Sequence, residues 1–148
     1  MPPCRISLPL VWTPVLNTAG GPYRFPTPIS SLPGSISKQP AVYRWRVLDK
    51  ATGKILAIYV GEGELLGRRI NHYITPGPSQ KTNLRNNADF TAYMGAGHHV
   101  ELDILVPSPD PTCPPIFTDF KEKYSRRMWE SAGVLEAKLL SGVTILNR

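Results

Sequence analysis

The period of the apolar positions changes several times along the chain, and each change predicts an element. From Ala41 to Leu48, Tyr43, Trp45 and Val47 alternate with Arg44 and Arg46, the pattern of a half-buried strand. Ile55 to Val60 is an unbroken apolar run rich in β-branched residues, and predicts a second strand. The polar residues between them, with Gly53 able to take positive φ, form a short hairpin loop, so the two strands are expected to be antiparallel. Gly61 and Gly63 are expected to turn the chain sharply. From Glu64 onward Leu66, Ile70 and Tyr73 recur at helical spacing, which sets Arg69 and Tyr73 one turn apart on one side of a helix.

After the break Thr75-Pro76-Gly77-Pro78-Ser79, a helix is expected over 83–94, with Thr82 as N-cap, Leu84, Ala88, Thr91 and Ala92 inward and Gly95 at C′. Residues 98–106 predict a third strand. Val100, Leu102, Ile104 and Val106 form its buried face and His99, Glu101 and Asp103 a solvated one; the same polar row could in principle ligate a metal. Thr118-Asp119 begins a late helix with Phe120, Tyr124 and Met128 or Trp129 inward. Arg126, flanked at i±4 by Glu122 and Glu130, is read as part of an exposed face. Gly133 weakens or divides this helix, beyond which Leu135, Leu139 and Leu140 are expected to form a core stripe.

Composition sharpens this picture. A chain of 148 residues is one domain by length and needs no metal or disulfide staple. Nine of the sixteen prolines fall in the first 40 residues, so 1–39 is expected to be an irregular arm. Its large apolar groups, among them Trp12, Val15, Tyr23 and Phe25, argue that it packs over the domain. Seventeen basic against eleven acidic side chains give a net charge of +6, which favours an anionic partner such as nucleic acid. Cys4 and Cys113 stand alone in proline-rich stretches and are read as free thiols. The absence of a long apolar run predicts a cytoplasmic protein with no membrane partner.

Ala41-Val42-Tyr43, Tyr59-Val60-Gly61 and Arg69, ten residues after Tyr59, together resemble the GIY-YIG nuclease family. Tyr73 occupies the place of the His or Tyr that commonly follows the arginine by four. Glu136 in GVLEAKLL and Asn147 in TILNR match the family's late glutamate and closing asparagine. Ala41 replaces the first glycine, a change that a strand with negative φ tolerates. The resemblance covers residues 40–148, taken as the nuclease domain.

The resemblance implies an α+β fold with a central three-stranded antiparallel sheet flanked by helices, and a metal-dependent endonuclease acting on DNA. It implies Tyr43, Tyr59, Arg69, Tyr73, Glu136 and Asn147 as the catalytic set, with Glu136 holding one Mg2+ or Mn2+ ion. In that scheme Arg69 binds the scissile phosphate through its planar fork and Tyr43 acts as general base. Lys81, Asn83 and Arg85 surround the start of the following helix, where free N–H groups favour an anion, and are the candidate substrate-binding residues. A nucleic-acid-binding module on the same fold without efficient cleavage is the alternative. A monomer would nick; cutting both strands requires a homodimer or two successive events.

Overall fold

The computed structural model describes residues 3, 7–107 and 114–147. Both cysteines lie outside them. Over the described residues the fold is α+β, but its sheet has five strands rather than three and is mixed, in the order β1-β4-β2-β3-β5. The central three are those anticipated: β2 (Ala41–Leu48), β3 (Ile55–Gly63) and β4 (His99–Leu105), antiparallel throughout. The two additions are β1 (Trp12–Pro14), antiparallel to β4, and β5 (Thr144–Ile145), parallel to β3. Three and two residues are too few for an alternation to be read. In the β2–β3 loop Asp49 Oδ1 accepts from the backbone N–H groups of Ala51 and Thr52 at 2.8 and 2.9 Å, and Gly53 takes φ of +70°.

Period two divides the strands between two layers. Tyr43, Trp45, Tyr59 and Leu102 face α1 (Gly34–Ser37), α2 (Leu66–Ile74) and α3 (Lys81–Gly95), and join the larger core cluster. Val42, Ile58, Val60 and Leu105 face α4 (Lys123–Lys138) in a second cluster with Trp129. The N-terminal arm serves both cores, with Leu8, Leu10 and Trp12 packed on the second and the residues after β1 entering the first. Val15, Tyr23 and Phe25 are buried there, and the ring centroids of Phe25 and Phe90 are 5.2 Å apart. Past β1 the arm runs along β4, with the Phe25 N–H donating to the Val100 carbonyl at 2.9 Å.

Several helical faces differ from the sequence expectation. In α3 the buried residues are Asn83, Asn86 and Phe90, Leu84 is exposed, and Thr82 lies inside the helix. Gly97, at φ of +89°, is the left-handed residue beyond its end, two positions later than expected. A short 3-10 turn occupies 115–118 and α4 starts at Lys123. Tyr124, Leu135 and Leu139 are exposed, while Ser125, Arg126, Trp129, Gly133 and Ala137 are buried. Helical spacing reveals a stripe but not its partner, and here the sheet takes the stripe through Gly133. A Cβ at Gly133 would lie 3.1 Å from both Trp12 and Val60, so the glycine lets α4 approach rather than dividing it.

The polar face of β4 is exposed at His99 but closed over at Glu101 and Asp103. Asp103 is 1% exposed and accepts from Arg44 Nε at 2.8 Å and Arg46 Nη2 at 2.9 Å, while Glu101 accepts from Arg24 Nε at 2.8 Å. The alternating arginines of β2 thus neutralise the carboxylates opposite them, which makes the burial of Asp103 tolerable.

Candidate active site

Gly61 and Gly63 continue β3, with negative or extended φ, instead of turning the chain. Their function is spatial. Tyr43 lies opposite Gly61 across the β2–β3 ladder, and a Cβ at Gly61 would stand 2.5 Å from the Tyr43 hydroxyl oxygen. A Cβ at Gly63 would collide with Cγ of Arg69. The two glycines therefore seat a tyrosine ring and an arginine stem against the strand.

On that face α2 delivers Tyr73 and Arg69, one turn apart. The hydroxyls of Tyr43 and Tyr73 are 2.6 Å apart and share a hydrogen bond, and Arg69 Nη2 donates to the Tyr73 hydroxyl at 3.0 Å. The guanidinium carbon lies 5.2 Å from the centre of the Tyr73 ring, a cation–π contact. Tyr43 and Tyr73 are fully buried. Burial pushes the Tyr43 hydroxyl up to about 12, although the Arg69 charge pulls the other way, and burial likewise raises Tyr73. Both are neutral phenols at ordinary pH.

The far side of β3 is an incomplete edge. β5 pairs only with Ala57 and Ile58, after which the Asn147 side chain continues the pairing by accepting from the Val60 N–H at 2.9 Å and donating to its carbonyl at 2.7 Å. Beyond Val60 the edge opens on a cavity of about 380 Å³, lined by Tyr59, Arg68 and Arg69 from one side and Glu62, Arg126 and Glu130 from the other. α4, although it packs on the opposite layer, thus reaches the tyrosine side around this edge. Arg126 is tied down: its Nε donates to Glu62 Oε2 at 2.7 Å and its Nη1 to the carbonyls of Phe120 and Lys121. Glu130 is held above the usual carboxylate range by burial and by the neighbouring charge of Glu62, with Arg69 and Arg127 opposing.

No family model, curated protein or solved structure matches this chain.

The structure brings Tyr43, Tyr59, Arg69 and Tyr73 together, and of these Tyr59 and Arg69 line the cavity. Asn147 lies next to the site as a backbone bracket for β3. Glu136 does not join them. Its Oε1 accepts from Trp12 Nε1 at 2.9 Å and lies 3.9 Å from Arg44 Nη1, against the layer that faces away from the tyrosines. Six residues rotate a helix by about 600°, or 240° net, so Glu130 and Glu136 point to different surroundings. Lys81 and Asn83 line a second cavity of about 440 Å³ together with Arg69, and Arg85 does not line it.

Glu130 and the Glu62–Arg126 pair were missed as site residues. One signal was legible: period two sets Glu62 on the face opposite Tyr59 and Gly61, where a buried carboxylate requires a cation from whatever packs there. Which arginine supplies it depends on the placement of α4.

Proposed function

We propose that this chain is a metal-dependent endonuclease of the GIY-YIG type that hydrolyses phosphodiester bonds in DNA. The observation that carries the proposal is the convergence of Tyr59, Arg69 and Glu130 on one cavity, with Arg69 braced from behind by the Tyr73–Tyr43 hydroxyl pair. Arg69 has one Nη donor spent on Tyr73, and the rest of its fork remains for two oxygens of the scissile phosphate. Tyr59 is the tyrosine that meets the cavity, and its hydroxyl orients the attacking water or a phosphate oxygen. Tyr43 and Tyr73 are positioning residues: fully buried and neutral, they hold the guanidinium in place instead of taking a proton.

One carboxylate with retained waters would suit a hard divalent ion such as Mg2+ or Mn2+, while among the described residues no three His, Cys, Asp or Glu side chains group to hold a metal. Glu130 is a partly buried carboxylate that lines the cavity with Glu62, and the cavity leaves room for the waters such an ion retains. Glu130 would hold it, in place of the Glu136 that the family pattern indicates. When bound, the ion supplies Lewis-acid stabilisation of charge on the phosphoryl oxygens and lowers the pKa of a bound water.

The test is conversion of supercoiled plasmid to nicked circles by the purified chain in Mg2+ or Mn2+, and its loss in EDTA. No nicking with either ion overturns the proposal. The position of Glu136 away from the tyrosines favours a second reading, a DNA-binding module without cleavage. Salt-dependent DNA binding with intact plasmid would select it.

A further inference from the structure

Arg69 lines two cavities, and the one on its far side has a different character from the catalytic one. Its other lining residues are His72, Gln80, Lys81, Thr82 and Asn83, with no carboxylate among them, whereas Glu62, Glu64 and Glu130 all line the first. Its floor is the first turn of α3, a fifteen-residue helix whose N-terminus has no side-chain cap and no acidic residue in its first turn. The end of the helix dipole and its free N–H groups therefore face a space bordered by Lys81 and Arg69.

A second observation points to a ligand with more than an anionic group. Asn83 is 6% exposed, and its Nδ2 donates to Gln80 Oε1 at 3.1 Å, yet its Oδ1 has no hydrogen-bond partner among the described residues. The Gln80 oxygen is itself an acceptor, taking the Gly77 N–H at 3.0 Å as well, and has no proton to offer Asn83 Oδ1. Arg69 Nε is likewise buried without a partner. A buried acceptor left unmet is costly, so a donor from outside the chain is favoured there.

We infer that this second cavity is the subsite for the nucleotide flanking the scissile phosphate on the same DNA strand. Its phosphate is received by Lys81 and the α3 N-terminus, and a base N–H or sugar O–H is received by Asn83 Oδ1. This rests on the nuclease reading and extends it. Arg69, shared by both cavities, sits between two successive phosphates and fixes the direction of the strand across the site.

The experiment measures binding of a fluorescein-labelled DNA duplex by anisotropy in EDTA, with a single neutral methylphosphonate linkage walked along one strand, for the wild-type chain and Lys81→Ala. Lys81 is exposed, and thermal melts confirm that the variant folds. The expected result is that wild-type binding weakens several-fold at the scissile linkage and at one linkage beside it. Lys81→Ala should lose sensitivity at the neighbouring linkage alone, and lower the slope of log K against log salt by about 1. A wild-type protein that binds and nicks DNA, with Lys81→Ala matching it in slope and in linkage profile, overturns the subsite and leaves the nuclease reading standing. A wild-type protein that neither binds nor nicks DNA overturns both.

Discussion

The carboxamide of Asn147 pairs with both backbone groups of Val60, accepting at 2.9 Å and donating at 2.7 Å, and so acts as one more residue of the edge strand. Replacement by Ala leaves that N–H and carbonyl without partners and should destabilise the fold by roughly 1–3 kcal/mol. Asn147→Asp is the sharper test. Its carboxylate faces the Val60 carbonyl, so the neutral acid is the favoured form in the folded state and its pKa is raised. The stability it retains should be present at low pH and lost as pH rises through that raised value. Urea titrations of the variant at pH 4 and pH 7 check this; equal deficits at both would refute the bracket.

Gly61 should not tolerate a methyl group. With 2.5 Å between the new Cβ and the Tyr43 hydroxyl, Gly61→Ala must displace the ring that braces Tyr73 and Arg69. The expected cost is about 1–3 kcal/mol of stability, together with a marked loss of cleavage. A parallel Gly53→Ala variant, strained only at a distant hairpin, should lose stability and keep its rate per folded molecule. Melting curves and single-turnover rates of the two variants separate these effects.

The buried tyrosines and the cavity tyrosine should part company on mutation. Tyr43→Phe removes one hydroxyl from the brace, and should cost on the order of 1 kcal/mol of stability and a modest fraction of the rate. With its pKa near 12, Tyr43 stays protonated between pH 6 and 9, so the pH–rate profile of this variant should keep the wild-type shape. Tyr59→Phe should cost more, since Tyr59 lines the cavity. A Tyr43→Phe enzyme that has lost two or more orders of magnitude, with an altered pH profile, would restore Tyr43 as the general base.

Glu130→Gln should abolish Mg2+-dependent nicking and leave DNA binding in EDTA intact, whereas Glu136→Gln should retain most of its activity. The folded pKa of Glu130 is raised, so in limiting Mg2+ the wild-type rate should fall on the acid side at a pH above the ordinary carboxylate range. Saturating Mg2+, by favouring the ionised form, should move that limb back down. Nicking assays across pH at two metal concentrations decide it. Loss of activity in Glu136→Gln alone would return the metal to Glu136.

Local chemistry was enough to predict much of this protein. Alternation in Ala41–Leu48 and His99–Leu105, and the polar loop between the first two strands, determined the antiparallel centre of the sheet, because period two and turn residues act over a few residues. The i, i+4 spacing of Arg69 and Tyr73 likewise set them on one side of α2 before any partner was known. Tertiary structure alone decided which layer each helix covers, and with it the chemistry. Glu130 and Glu136 share a helix and a residue type, yet packing sends one around the β3 edge to Arg69 and the other to Trp12 and Arg44. Arg126 reads as a solvated i±4 partner and is instead a buried counterion for Glu62, while Gly61 and Gly63 read as a bend and instead make room for two side chains. Each of these outcomes depends on a contact between segments far apart in the chain, and hydrophobic period carries no record of which distant residue will stand opposite.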